Sequence, residues 1–175
     1  MANGERLHSR QVFRGRIVDL RVERVRLPNG HVGELELVRH PGSAAILPVD
    51  RAGDAVLVRQ YRHATGGWLL EAPAGTLDGA EAPEVCAARE LAEETGLAAA
   101  RLVPLGWIWT APGFTDERIW LFLATELSPA RQALESDEVL RVERVPFGDA
   151  LERARSGEIL DAKTVCALFR AAHLL

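Results

Sequence analysis

Three glutamates, Glu90, Glu93 and Glu94, crowd into the last turns of a segment, Pro83 to Thr95, that reads as a helix. Pro83 stands at the start, no glycine interrupts the run, and Gly96 follows its end, which are the ordinary start and stop signals. At about 100° per residue the three side chains fall within roughly 100° of one another, and the same geometry predicts that Val85, Ala88 and Ala92 form the opposite face and pack on a sheet. Like charges at i and i+4 cost an isolated helix about a few tenths of a kcal/mol, so helix stability does not explain the cluster. A solvated acidic face is the plainest alternative. Paired oxygen ligands, however, suit hard cations such as Mg²⁺ or Mn²⁺, which bind one or two carboxylates together with substrate phosphates. With Cys86 the one nitrogen- or sulfur-type ligand in the segment, zinc fits poorly.

The rest of the chain says what must hold such a site. Its 175 residues, 47% hydrophobic and 26% charged, match one ordinary folded domain rather than a disordered chain. Lys+Arg of 21 against Asp+Glu of 25 leaves a net charge of −4, so no global basic field exists to hold nucleic acid or an anionic membrane. A polyanionic ligand must be met by local arginines, backbone donors or metal ions. Cys86 and Cys166 do not make a disulfide framework or a metal knuckle. The opening MANGERLHSR lacks the apolar core of a signal peptide, and no apolar run approaches the ~18 residues of a membrane span, so the expectation is a cytoplasmic protein with no membrane association. Lys163 is the sole lysine among the basic residues.

Two partly alternating runs between Gly15 and Arg39 flank the turn Pro28-Asn29-Gly30 and predict a long hairpin. Ala44–Val49, Ala55–Tyr61 and Trp68–Ala72 read as strands before the helix. Leu102–Thr110 and Arg118–Thr125 read as strands around the loop Ala111–Glu117, and Val139–Val145 as another. Phe147, Ala150, Leu151 and Ala154, then Val165, Leu168, Phe169 and Ala172, repeat at helical spacing. The order of elements predicts an α+β domain. The division expected is a β-hairpin region over residues 1–40 and a main domain over 41–175.

The segment Gly75 to Leu97 resembles the signature box of the Nudix hydrolases: Gly, five residues, Glu, seven residues, then Arg-Glu-apolar-any-Glu-Glu-any-Gly-apolar. Gly75, Glu81, Arg89, Glu90, Leu91, Glu93, Glu94, Gly96 and Leu97 fill every position. A chance match somewhere in a chain of this length is roughly one in a million on average residue usage. The resemblance implies an α/β/α sandwich around a mixed sheet, preceded here by the N-terminal β-hairpin, and hydrolysis of a nucleoside diphosphate linked to another moiety. It further implies Mg²⁺ as cofactor, with Mn²⁺ as a substitute, held by Glu90, Glu94 and the backbone carbonyl of Ala74. Glu93 is implied as a third ligand or a base, while Gly75, Glu81 and Arg89 orient the others.

Val58 to Arg62, Trp68 to Gly75, and Ala111 to Glu117 resemble the ADP-ribose pyrophosphatase branch, in which Pro112 matches a characteristic proline 15 residues beyond Leu97. The products implied are AMP and ribose 5-phosphate. By the same resemblance Arg62, Pro112 and Glu117 bind substrate, Glu138 is the general base with Asp137 and Glu135 as competitors, and the protein is a homodimer whose N-terminal strands help line the adenosine pocket. Phe13, Trp107 and Trp109 are the aromatic residues available to stack on adenine, though each reads more readily as core. Other nucleoside diphosphate sugars such as GDP-mannose, and dinucleoside polyphosphates, are the rival substrates. A non-catalytic nucleotide-sugar sensor is disfavoured because every box acid is present, and a decapping-type enzyme on RNA because no basic stretch exists.

Overall fold

A computed structural model describes residues 3–175. The chain divides into two compact units: the described residues up to Gly42 with Trp109–Arg118, and Ser43–Ile108 with Ile119–Leu175. In the first, strands β1 (Glu5–Arg14), β2 (Asp19–Arg26) and β3 (Val32–Arg39) form an antiparallel sheet in that order. Between β2 and β3, Gly30 takes φ +86 and its N–H donates to the Leu27 carbonyl at 2.8 Å, the turn that Pro-Asn-Gly calls for. The pair β2–β3 is the hairpin the sequence suggests, but a third strand extends it. Strand β1 is exposed along nearly all its length and has no apolar period to betray it; backbone pairing with β2, from Glu5↔Arg26 to Arg14↔Asp19, holds it in place. The loop Ala111–Glu117 clips the end of β3: Val38 N–H donates to the Phe114 carbonyl at 2.7 Å, and the Arg39 guanidinium bridges Asp116 and the buried Glu23.

The second unit holds two sheets. Strands β5 (Asp54–Arg62), β6 (Gly67–Glu71) and β10 (Leu140–Pro146) make an antiparallel sheet in the order β10-β5-β6. Strands β4 (Ser43–Pro48), β7 (Ala74–Thr76), β8 (Leu97–Trp109) and β9 (Arg118–Pro129) make the other, in the order β7-β4-β9-β8. This sheet is mixed, since β4 runs parallel to β9 and antiparallel to β7. Strand β4 is buried at every position, as a strand covered on both faces must be. Its alternation divides the core: Ala44 and Ile46 pack with Cys86, Ala87 and Leu91 of helix α1 (Pro83–Thr95), while Leu47 packs with Ala150 of α2 (Phe147–Ser156) and Ala167, Leu168 and Ala171 of α3 (Ala162–Ala171). The mixed sheet therefore lies between α1 on one face and α3 on the other, with α2 packed against α3 and the antiparallel sheet, which is the α/β/α sandwich expected.

Helix α1 begins and ends where the sequence places it, and Gly96 closes it in the left-handed conformation at φ 69. Its rotation differs from expectation. Val85 is 58% exposed and Ala88 is exposed as well, while Cys86, Ala87 and Leu91 are fully buried together with Glu90 and Glu94. Glu90 lies one turn beyond Cys86 and Glu94 one turn beyond Leu91, so the two carboxylates continue the packing stripe instead of facing away from it.

If Leu91 is the anchor of α1 on the sheet, Leu91→Ala lowers unfolding free energy in urea by about 2–5 kcal/mol; a loss under ~1 kcal/mol would contradict its placement.

Candidate active site

The end of β6, the strand β7 and helix α1 converge on Glu90 and Glu94. Ala74 in β7 pairs with Ala45 of β4, and the Pro73 carbonyl accepts the Ile46 N–H at 2.9 Å, which fixes the approach of the chain to Gly75. A Cβ at Gly75 would stand 1.8 Å from Glu90 Oε1. Any side chain here must displace the Glu90 carboxylate, which occupies the place of a Cβ.

Arg89 binds the acids around it. Its Nε and Nη2 donate to the two oxygens of Glu81 at 3.1 and 3.0 Å, its Nη1 to Glu90 at 2.7 Å and to Glu93 at 3.0 Å, and Nη2 also reaches the Thr76 carbonyl at 3.2 Å. The hydrogen bond from Arg89 holds the Glu81 carboxyl down at about 2, and the same acids raise Arg89 further above its ordinary value. The Cys86 thiol, pushed up to about 12 by burial, donates to the Gly75 and Thr76 carbonyls and is inert packing for the same loop.

Glu94 is left without such help. It is 2% exposed, and its Oε2 is buried with no hydrogen-bond partner, the one such side-chain atom among the described residues. Burial first, then the charges of Glu90 and Glu138, raise its carboxyl to about 8; burial likewise raises Glu90 to about 7 against the pull of Arg89. One ligand oxygen from each of Glu90, Glu94 and Glu138 lies within 4.8 Å of the others, the one group of three potential ligands among the described residues. An orphaned buried oxygen, three hard carboxylate donors and no nitrogen or sulfur ligand fit a divalent cation with oxygen coordination.

Glu138 arrives from the segment between β9 and β10. Its Oε2 accepts the Glu135 N–H at 2.8 Å and its own N–H donates to the Glu135 carbonyl at 3.1 Å, a closed turn that steadies the carboxylate. Of the competing acids, Glu135 and Asp137 are exposed and neither joins the group. Nor does Glu93, whose carboxylate is bound by Arg89 one turn earlier.

Arg62 at the end of β5 lies in a network the sequence did not disclose. Its Nε and Nη2 donate to the two oxygens of Glu71 at 2.9 and 2.8 Å. Glu71 is buried and also accepts from Lys163, which bridges to Asp161 at 3.0 Å; Asp161 in turn caps the Thr164 N–H at 3.0 Å, and the Thr164 hydroxyl accepts the Ala72 N–H at 2.6 Å. Burial pushes Glu71 up, but the two cations outweigh it and hold it below its ordinary value. A single lysine in an otherwise arginine-based chain, set in a first helical turn after Asp161, was the available signal.

Pro112 and Glu117 belong to the first unit, in the loop that clips β3. Pro112 is exposed, and Glu117 accepts the Thr110 hydroxyl at 3.0 Å with His40 Nδ1 at 3.8 Å. Phe13, Trp107 and Trp109 are surface residues rather than core; Arg118 stacks over Trp109 at 5.5 Å from the ring centroid.

Residues 38–167 match the NUDIX domain family, and residues 5–38 match the nucleoside diphosphate sugar hydrolase N-terminal domain. The chain is 43% identical over 160 residues to the ADP-ribose pyrophosphatase of Bacillus subtilis (strain 168), covering 90% of this chain and 86% of that protein. It is 39% identical over 164 residues to the methanol dehydrogenase activator of Bacillus methanolicus, covering 93% and 89%. Among solved structures, an ADP compounds hydrolase superposes over 100% of this chain and 95% of its own with a TM-score of 0.86, at 24% identity a likeness of fold.

Two outcomes follow from the carboxylate pair. Glu90 and Glu94 are raised from 4.5 toward about 7 and about 8, so the metal-free folded state retains protons that the unfolded chain has lost. Their stabilising contribution is present below pH 4.5 and disappears as pH rises through 7 to 8. In EDTA the urea midpoint falls from pH 5 to pH 8, and Glu94→Gln flattens that slope; a wild-type midpoint constant or rising over this window would show the pair to be ionised without cost. Gly75→Ala expels the Glu90 carboxylate and lowers both divalent-ion affinity and turnover by roughly 10- to 100-fold, whereas wild-type affinity would mean that the close approach is not used.

Proposed function

We infer, from the premise that this chain belongs to the Nudix hydrolase family, that it hydrolyses the diphosphate bond of ADP-ribose, giving AMP and ribose 5-phosphate. The observation that carries the chemistry is the convergence of Glu90, Glu94 and Glu138 within 4.8 Å, two of them buried in a chain whose net charge is −4. Two ionised phosphates would be repelled by such a site on its own. Mg²⁺, with Mn²⁺ as a substitute, is the proposed cofactor, and Glu90, Glu94 and the Ala74 carbonyl are its proposed ligands. The chemistry such an ion supplies when bound is charge neutralisation at the diphosphate and acidification of water.

The protein's own residues divide the remaining work. Glu138 is the proposed base: it takes a proton from the attacking water as the new oxygen–phosphorus bond forms and the bridging bond breaks, with the departing phosphate keeping the electron pair. Its half-buried position beside two buried acids supports that role. Glu93, bound to Arg89, orients the arginine that holds Glu90 and Glu81, and is proposed to act through that contact rather than as a base. Arg62 is proposed to meet the diphosphate: its side chain is 40% exposed while Glu71 fixes two of its nitrogens, so the guanidinium is ready without reorganisation. Pro112 and Glu117 are proposed to contact the ribose side of the substrate.

A homodimer belongs to the same proposal. The three-stranded sheet leaves Leu7, Val12, Phe13 and Leu35 exposed, an apolar surface that a second copy would cover. A cytoplasmic setting is supported by two unpaired cysteines. No helix among the described residues is long and apolar enough to cross a membrane.

Turnover of ADP-ribose in a panel with GDP-mannose and a dinucleoside polyphosphate, with and without Mg²⁺, tests the substrate: ADP-ribose should lead, and no hydrolysis of any diphosphate with metal present would refute the enzyme. Glu138→Gln should lower kcat at least about a hundredfold with KM little changed; near wild-type turnover would remove Glu138 from the reaction.

A further inference from the structure

Glu138 has to be held against the repulsion of two buried acids, and its own turn supplies only local bonds. The means of holding it lies six residues earlier. Helix α1 ends with carbonyls that have no partner inside the helix. Gly96 N–H satisfies Ala92, and the next carbonyls are taken by the segment that follows β9: Ala133 N–H donates to Glu93 O at 3.0 Å, Gln132 Nε2 to Glu94 O at 2.7 Å, and Ala130 N–H to Gly96 O at 2.8 Å. The two pieces of chain touch closely enough that a Cβ on Gly96 would meet Gln132 Cβ at 3.5 Å. At its far end the segment is anchored where Tyr61 N–H donates to the Val139 carbonyl at 3.0 Å, and strand pairing resumes with Leu140↔Gln60.

Gln132 is the one side chain in this anchorage. It is exposed, so core packing does not place it there, and its amide donates to the backbone carbonyl of Glu94, whose carboxylate faces Glu138 across the cluster. A neutral donor suits the negative end of a helix without adding a charge beside the acids. The same residue, Glu94, thus sets one wall of the site through its side chain and the approach of the opposite wall through its backbone.

We propose that Gln132 is a positioning residue for the reaction: its bond to the Glu94 carbonyl pins the segment 130–138 onto the end of α1 and thereby sets Glu138 against Glu90 and Glu94. The proposal rests on Glu138 being the base, and the experiment separates the two claims. Gln132→Ala and the near-isosteric Gln132→Met both remove the donor at an exposed position. In metal-free protein, hydrogen exchange of the backbone amides in 130–138 should quicken by about tenfold, the scale of one lost hydrogen bond, while amides inside α1 keep their protection. With Mg²⁺ and ADP-ribose, kcat should fall by about tenfold with KM changed less than about twofold, and in a Glu138→Gln background the Gln132 substitutions should have almost no further effect, since residues acting as a unit are not additive. Unchanged exchange, or a full additional loss in the Glu138→Gln background, would overturn the proposal. Quickened exchange with wild-type kcat would reduce Gln132 to a helix cap and overturn its part in the reaction. If Glu138→Gln itself turns over like wild type, the base assignment fails, and Gln132 falls with it as a positioning residue even where the exchange result stands.

Discussion

Two carboxylates buried side by side without enough positive charge between them is the constraint on which this molecule turns. Glu90 has Arg89 at 2.7 Å; Glu94 has a buried oxygen with no partner at all. Ionising such a pair in a dry setting is unfavourable, which is why their carboxyls rise to about 7 and about 8. A protein selected only for stability would put leucine or alanine on that stripe of α1, as it does at Ala87 and Leu91. The unmet demand for a cation is the structural signature of a site that works with one.

The surrounding architecture serves to keep the two acids in that position. Strand β4, buried on both faces, carries β7 on one edge, so the Ala74–Gly75 backbone is brought against the helix with no side chain in the way. Arg89 fastens the loop end at Glu81 to the helix and binds the Glu93 carboxylate as well. On the far side, Lys163, Asp161 and Thr164 tie the start of α3 to Glu71 and Ala72, and Glu71 holds Arg62 by both oxygens. The centre of that network, Glu71 with Lys163, is buried yet partnered on both sides, the opposite condition from the orphaned oxygen of Glu94. Charge is balanced where rigidity is needed and left unbalanced where a ligand is needed.

What was legible in the sequence follows the physics of short-range signals. The limits of α1 were plain because Pro83 and Gly96 act locally, and the box spacing was plain because it is a fixed pattern along one helix. The rotation of α1 was not, because a pattern argument assumes that glutamates face water; here they lie on the packing stripe, and Val85 takes the exposed side. Strand β1 left no periodic trace, since it pairs through its backbone with both faces exposed. Glu138 could be named only through family resemblance: nothing in Glu135-Ser136-Asp137-Glu138 distinguishes a site residue from a solvated turn until the fold sets it against Glu90. The Glu71–Lys163 contact joins residues 92 positions apart, beyond the reach of any local signal.

If the buried pair is kept for a divalent cation, binding of that cation must release protons. Calorimetric titration with Mg²⁺ at pH 7 in buffers of different ionisation enthalpy measures that release directly. With the two carboxyls at about 7 and about 8, roughly one to one and a half protons should be set free per ion bound, shrinking as pH is raised past 8 and falling to about half a proton in Glu94→Gln. Binding that releases no protons at pH 7, or release unchanged by Glu94→Gln, would contradict it.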